Sequence, residues 1–338
     1  MERGYDVLAM GRSSMDLYAN EIGAPFTEIK TFSAYVGGSP TNIVVGARRL
    51  GLRAALLTAV GDDLVGDFVL DFLAREGVES SFSPRKPGRR TSAFMLAIQP
   101  PDRFPIVPYR DNCADLELTA EDVRAAPVAE ARALLVTGSG LSREPSRGAT
   151  RFAAETARAH GARVVLDLDV RAELWPDPRD YAAQVRTLLP SVDVVLGTVE
   201  ELKAALGADG ALRSGWGGGD AASGDPTAEA LRGGADELLG AGPEALVVKR
   251  GARSTLVFPR GAAAVEAATF RVEVLNVLGA GDAFAGGFLY GYLKGWDWRR
   301  SARMGNACGA IVVTRHGCAN FMPYEDEALT FIEERGGF

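Results

Sequence analysis

Several things are scarce in this 338-residue chain, and each scarcity closes off a class of chemistry. Its three cysteines, Cys113, Cys308 and Cys318, are an odd number, far apart and without a C-x-x-C pair. That pattern suits a reducing cytosol and gives neither a disulfide framework nor a cysteine zinc site. Two histidines, His160 and His316, are too few for a histidine-based metal centre, and each reads as a surface or packing residue. None of the five lysines follows a glycine, so the Gly-Lys-Ser/Thr of a Walker A loop is excluded. The usual protein-kinase motifs are missing as well. Long apolar runs are also lacking: Ala283 to Leu293 is short for a membrane span and broken by glycines. Met1 to Asp6 carries charges of both signs and runs straight into Val7 to Met10, which is no secretory pattern.

What is present describes a globular protein: 47% hydrophobic residues, 24% charged, and a length that can bury one large core or two smaller ones. The net charge of −7 argues against nucleic acid or an anionic membrane as the main partner. An anionic substrate would therefore need local basic groups.

The stretch around which the chain is organised runs from Asn276 to Gly287, Asn-Val-Leu-Gly-Ala-Gly-Asp-Ala-Phe-Ala-Gly-Gly. Phe270 to Leu275 alternates like a strand, and Ala283 to Lys294 continues as an apolar helix, so Gly279 and Gly281 fall at a strand-to-helix turn. Glycines let the backbone approach a phosphate, and the free N–H groups of a first helical turn favour its charge. Asp282 would repel that phosphate, and is better explained as a general base for a hydroxyl that attacks it. Taken alone, the motif favours a tight turn with Asp282 as a helix cap, because short glycine motifs recur by chance. A dinucleotide site fits less well, because the glycine spacing is not G-x-G-x-x-G and the motif lies late in the chain.

Earlier in the chain, Asp6 to Gly11 is a short strand followed by Arg12 and by Asp16, a carboxylate placed to meet sugar hydroxyls or to bond its own loop. Glu28 to Tyr35 makes an edge strand. Gly37-Gly38-Ser39-Pro40-Thr41-Asn42 opens a helix with Ser39 as N-cap and Pro40 first, and Asn42 offers a donor and an acceptor to a polyol. Thr91 to Ile98 and Ile106 to Tyr109 are proline-flanked edge strands of the kind a lid uses. Arg110, at their exit, is either a carboxylate clamp or a solvated surface group.

From Ala133 to Leu206 strands and helices alternate, as in a parallel sheet covered on both faces. Asp167, Asp169 and Arg171 cluster after one strand and read as surface salt bridging, while Glu200 and Glu201 open a helix. Ala208 to Pro226 is a Gly/Ala/Ser/Asp-rich segment expected to be a flexible insertion. Lys249-Arg250-Gly251 is a basic turn that suits nucleotide phosphates or a plain hairpin. The helix Trp298 to Thr314 is rich in small residues and carries Asn306.

Gly-Gly-x-x-x-Asn early and Gly-Ala-Gly-Asp late, in this order and at this distance, resemble the ribokinase or PfkB family of carbohydrate kinases. The resemblance runs from about Asp6 to Pro323. It implies one α/β domain over residues 1–338: a Rossmann-like three-layer α/β/α sandwich with a small β-sheet lid, the lid built from about 17–36 and 91–110. It also implies ATP, Mg2+, a monovalent cation in some members, and a small-molecule sugar substrate. Family members often pair through their lids, which the edge strand at Glu28 to Tyr35 permits, so a homodimer is open to this chain.

By this resemblance Asp282 is the base, and Gly279, Ala280 and Gly281 form the anion hole. Asp16, Gly38 and Asn42 hold sugar hydroxyls. Gly251 and Lys249 lie along the nucleotide, Asn306 lies near its base or ribose, and Glu200 orders magnesium through water. Two positions depart from the family pattern. The Asp-Thr before the glycine turn is Asn276-Val277, and the Asn-x-x-Glu near the metal reads Gly197-Thr-Val-Glu200. Together with Gly11 to Tyr18, Phe104 to Asp115 and Arg315-His-Gly-Cys318, these departures are similar to a subgroup that phosphorylates a keto-deoxy sugar acid on its terminal hydroxyl. The carboxylate of such a substrate needs a cation, for which Arg110, Arg12 and Arg171 are the candidates in that order. Other sugar-acid kinases, a neutral-sugar kinase such as a fructokinase, and a catalytically silent sugar-binding regulator are the alternatives.

Overall fold

The computed structural model describes residues 3–100, 103–175, 177, 179–208 and 226–338. In chain order the first elements are β1 (Tyr5–Met10), β2 (Ser14–Ala19), β3 (Phe32–Gly37), α1 (Ser39–Arg49), β4 (Ala54–Leu57), β5 (Val60–Gly61) and α2 (Leu64–Glu76). Then come β6 (Arg85–Lys86), β7 (Ser92–Leu96), β8 (Ile106–Tyr109), α3 (Ala120–Ala125), β9 (Ala131–Thr137), α4 (Ser146–Ala159), β10 (Arg163–Asp167), α5 (Asp180–Leu188), β11 (Val194–Thr198) and α6 (Val199–Ala205). The last group is α7 (Ala228–Gly240), β12 (Ala245–Lys249), β13 (Ser254–Pro259), β14 (Val265–Ala268), α8 (Ala280–Leu293), α9 (Trp298–Val312) and α10 (Glu325–Glu333).

Eight strands form one sheet in the order β14-β13-β12-β11-β10-β9-β1-β4, parallel from β12 to β4 and antiparallel at the β13 and β14 edge. Its central strands are apolar on both faces, as a sheet buried between two helical layers requires. One core includes Val7, Val165 and Phe288, and the other, on the opposite face, includes Leu8, Val164 and Tyr181. This is the ribokinase-like α/β fold. A second sheet, β3-β2-β7-β8, has its own small core of Tyr18, Phe94, Leu96, Ile98, Phe104 and Cys318. The two proline-flanked strands, β7 and β8, belong to this smaller sheet, with β3 and β8 as its edges.

Two expectations fail in instructive ways. Phe270 to Leu275 is not a strand, although Phe270 is buried and Val272 packs on the core. The register pairs Ala268 with Ser254, the first residue of β13, so beyond Ala268 the chain has no strand left to pair with. The helix after the paired glycines starts one residue early: Gly38 is its N-cap at φ 102°, and Ser39 is its first residue with Pro40 behind it. The expected insertion at 208–226 lies almost entirely outside the described residues. No helix among the described residues is long and apolar enough to cross a membrane.

Candidate active site

The glycine turn leads straight into α8. Gly279 is the helix N-cap in the left-handed region at φ 83°, where a side chain is strained. A Cβ there would also lie 2.8 Å from the Cys318 sulfur, and one on Gly281 would lie 3.3 Å from Lys249 Nζ. Ala280 N–H reaches back to Val277 O at 3.3 Å, whereas helix geometry leaves the Gly281 N–H without a partner in its own helix.

Asp282 sits in the first turn of α8, and both of its carboxylate oxygens accept hydrogen bonds from the first turn of α1. Ser39 Oγ donates to Oδ1 at 2.8 Å and Asn42 Nδ2 to Oδ2 at 2.7 Å. The helices come this close because small residues line the contact: a Cβ on Gly286 would meet Ile43 O at 3.1 Å. Ser39 thus orients Asp282 instead of capping its own helix. Burial, reinforced by nearby Asp169, pushes the Asp282 carboxyl above the usual range. The buried Asn42 Oδ1 has no hydrogen-bond partner and is available to a hydroxyl.

Asp16 lies on β2 in the smaller sheet, not in a loop. The paired glycines make room for the protein's own groups: a Cβ on Gly37 would fall inside the Asp16 carboxylate, and one on Gly38 would strike the Arg12 carbonyl. Burial raises the Asp16 pKa to about 6, with Asp282 adding to the rise and the Ser14 hydroxyl and Arg12 opposing it. The Arg12 side chain is 8% exposed, lies over the Phe94 ring, and has Nη2 3.6 Å from Asp169 Oδ2. Its Nε has no hydrogen-bond partner.

The third component stands at the carboxyl ends of β10, β11 and β12, where open α/β sheets take ligands. Asp167 and Asp169 are buried, so the surface reading of that cluster is wrong. Lys249 Nζ pairs with Asp167 at 3.0 Å, Arg171 with Asp169 at 3.4 Å, and the Ser139 hydroxyl donates to Asp169 at 2.7 Å. Burial pushes Asp167 up against the pull of Lys249, while Arg12 and Arg171 overcome burial and hold Asp169 below its ordinary value.

Glu200 is exposed, and Glu201 is the glutamate that turns inward: it is 7% exposed, accepts from Val170 N–H and lies 3.7 Å from Arg171. Thr198 and Glu201 form a reciprocal capping box, which fixes that side chain against the helix start. The sequence signal was Thr-x-x-Glu immediately before the helix. Two adjacent glutamates, Glu200 and Glu201, obscure it.

Asp16, Asp167, Asp169, Glu201 and Asp282 thus surround Arg12, Arg171 and Lys249, which leaves the cluster acidic by two charges when all are ionised. A divalent cation suits that excess. No three acidic, cysteine or histidine side chains among the described residues converge as ligands, so a magnesium ion here would be held mainly by phosphate oxygens and water, as is common for that ion.

The remaining candidates lie apart from this cluster or are already engaged. Gly251 is exposed in the β12–β13 turn at φ 60° with open space around it. Asn306 is buried, and both of its amide donors are spent on Ala267 O and Ala268 O while Thr255 donates to its oxygen. Arg110 pairs with Asp115 and lines a cleft of about 270 Å³ with Arg89, Asn112, Arg143 and Glu173. That cleft contains none of the groups gathered around Asp282.

A family model for pfkB family carbohydrate kinases matches residues 5–325. The chain belongs to the pfkB family. It is therefore a carbohydrate kinase. Among curated relatives, 5-dehydro-2-deoxygluconokinase of Clostridium tetani is 33% identical over 331 residues, 98% of this chain and 93% of that protein. The protein of the same name from Bacillus subtilis is 31% identical, over 98% and 97% of the two chains. Among solved structures, the fructokinase of Xylella fastidiosa with bound ATP superposes with a TM-score of 0.82 at 27% identity, covering 98% and 99% of the two chains. A Vibrio cholerae fructokinase double mutant, determined with fructose, ADP and a potassium ion, gives 0.81 at 25% identity over 98% and 99%. An E. coli structure in complex with ATP and Mg2+ shares the fold at a TM-score of 0.81 and 23% identity, over 98% and 99% of the chains.

Proposed function

We propose that this pfkB-family kinase transfers the γ-phosphoryl group of ATP to the terminal (C6) hydroxyl of 5-dehydro-2-deoxy-D-gluconate, a step of myo-inositol catabolism. The relatives' shared name supports the substrate. The observation that carries the chemistry is Asp282, a carboxylate fixed through both oxygens by Ser39 and Asn42 in the first turn of the helix that the glycine turn opens.

Phosphoryl transfer is mostly positioning and charge stabilisation. Asp282, with a second lone pair on each oxygen, orients the hydroxyl and takes its proton. Its raised pKa makes it a stronger base than a surface aspartate. The N–H groups of the Gly279–Gly281 turn stabilise charge on the group in transfer, with Lys249 beside them. Magnesium, when bound with the nucleotide, neutralises phosphate charge. The chain's part is the acidic surround of Asp167, Asp169 and Glu201, with Glu201 taking the place expected for Glu200. Lys249 and Gly251 flank the nucleotide in this reading, while Asn306 is left to hold β14 against α9.

Asp16 and Asn42 hold sugar hydroxyls. The substrate carboxylate belongs to Arg12, which is buried with Nε unpaired and acts electrostatically on both Asp16 and Asp282. Arg110 and Arg171 are committed to Asp115 and to Asp169 with Glu201. The smaller sheet serves as the lid, and its free edge strand β3 is the face through which two copies would pair, which sedimentation would test.

The deciding experiment is a coupled ADP-release assay with MgATP and four acceptors: 5-dehydro-2-deoxygluconate, 2-dehydro-3-deoxygluconate, fructose and ribose. A preference of tenfold or more in kcat/KM for the first supports the reading. Preference for the second keeps the base and the Arg12 clamp but changes the pathway. Preference for a neutral sugar sinks the clamp, and binding without turnover on any acceptor makes the protein a sugar-binding regulator.

A further inference from the structure

The anion-binding turn is held only in part by its own backbone, through Ala280 N–H to Val277 O and Ala283 N–H to Gly279 O. Gly279, Ala280 and Gly281 carry no polar side chain, so the rest of their support comes from what packs around them. Two of those supports come from the segment Arg315–Cys318. Asn276 spans the first: its Oδ1 accepts from Leu278 N–H at 3.0 Å and its Nδ2 donates to His316 O at 3.1 Å. The second is Cys318, whose sulfur occupies the space a Gly279 side chain would need.

The same segment is tied to the smaller sheet. The His316 ring bonds Ala19 O of β2 through Nε2 at 3.0 Å and the Tyr35 hydroxyl of β3 through Nδ1 at 3.2 Å. The Tyr18 hydroxyl of β2 lies 2.6 Å from the Cys318 sulfur, fully buried. Tyr18, Tyr35 and His316 also pack ring to ring with centroids 5.7–5.9 Å apart. On β2, Ser14, Asp16 and Tyr18 alternate onto one face. One strand face therefore carries both the carboxylate assigned to the sugar and the hydroxyl that reaches the back of the anion hole.

We propose that Tyr18, acting through the Cys318 thiol, is a positioning residue for phosphoryl transfer: the Tyr18–Cys318 contact sets the Gly279–Gly281 turn from the strand that holds the sugar. Burial keeps both groups in their neutral forms, so the strut is a hydrogen bond and not an ion pair. Neither residue touches the reacting atoms in this scheme. The inference rests on the reading of the turn as anion hole.

The test compares Tyr18→Phe, Cys318→Ala, their double variant and Cys318→Ser, using the full-length kinase and the best acceptor of the four-member panel. The readouts are kcat, both KM values, and the calorimetric stoichiometry of a non-hydrolysable ATP analogue. Because a misplaced anion hole costs transition-state stabilisation, each single variant should lose about tenfold in kcat with both KM values held within about twofold. Stoichiometry should stay at about one nucleotide per chain. A shared strut is broken only once, so the double variant should fall no further than the worse single, and Cys318→Ser should recover most of the loss.

Three results overturn the proposal: wild-type kcat in Tyr18→Phe, a double-variant loss equal to the product of the singles, or a kcat loss matched by lost nucleotide-binding sites. Asp282→Asn, run alongside, separates this inference from the reading beneath it. Collapse there with normal turnover in Tyr18→Phe removes the strut alone. Normal turnover in Asp282→Asn with a tenfold loss in Tyr18→Phe removes the base and leaves the strut.

Discussion

Asp282 and Asp16 are both buried carboxylates, yet burial has different consequences for each. As the proposed base, Asp282 would work in its ionised form, and burial with Asp169 nearby raises its pKa. The acid limb of kcat/KM should therefore lie above the ordinary aspartate value of about 4. Asp282→Asn should lower kcat by about 10²-fold or more with little change in ATP affinity, and steady-state kinetics showing near-normal turnover would remove it from the role of base. For Asp16 the consequence is one of stability. A carboxyl raised to about 6 in the folded state binds its proton more tightly folded than unfolded. The folded state is thus favoured below the unfolded pKa, and that advantage is lost as pH rises through about 6. Asp16→Asn removes the ionisation, so it should raise Tm by about 2–5 °C at pH 8, corresponding to roughly 2 kcal/mol, with the gain vanishing near pH 4. A Tm difference independent of pH would contradict this, and the same variant should bind sugar less well. The carboxylates also show where sequence reading stops. Asp282 announces itself through its glycines, but nothing in Asp167-Leu-Asp169 shows that both side chains are buried. That follows from three neighbouring strands ending together, with Arg171 close by in the chain and Arg12 and Lys249 supplied from distant positions.

At the scale of elements, the site is a junction between the starts of α1 and α8 and the strand β2 laid across them. The glycine pairs were legible as turn residues, but their purpose was not. The space a side chain on Gly37 would need is filled by the Asp16 carboxylate. Gly37→Ala should therefore displace the Asp16 carboxylate, raising the sugar KM by about tenfold or more while leaving the ATP KM nearly unchanged. Overpacking of this kind costs about 1–3 kcal/mol of stability. An unchanged sugar KM in that variant would show that Asp16 can move without consequence for binding. The start of α1 is readable to within a residue, because proline, glycine and serine mark it, while α8 begins at Ala280, three residues before the expected Ala283; at α1 a one-residue shift decides whether Ser39 caps a helix or holds Asp282. The same margin separates Glu200 from Glu201, since only the capping box at Thr198 settles which glutamate faces inward. Alternation of apolar residues misled at Phe270 to Leu275, because it reports which side chains are buried and not whether a neighbouring strand remains to bond the backbone.

In the whole molecule, the proposed ligands bridge two sheets of unlike solidity. The central strands of the large sheet are buried on both faces, and their α/β alternation was plain in the sequence because each strand is a short unbroken apolar run. The smaller sheet has one modest core, its edge strands β3 and β8 pair with no further strand among the described residues, and β8 exposes Val107 and Tyr109. Amides of such a sheet open more readily than those of a packed centre. A sugar held by Asp16 on β2 and a nucleotide beside Lys249 on β12 would tie the mobile part to the rigid part, so the protection gained on binding should be uneven. Hydrogen exchange measured with the acceptor sugar acid and a non-hydrolysable ATP analogue should slow in β2, β3, β7 and β8 by about tenfold, since binding adds stability only to openings that release the ligands. Strands β9, β10 and β11, buried at the packed centre and so expected to open only with the whole molecule, should change less. Protection confined to the large sheet would mean that the smaller sheet does not close over the substrates. Water exclusion by a lid would then have to be replaced by some other account of why ATP is spent on the sugar and not on hydrolysis.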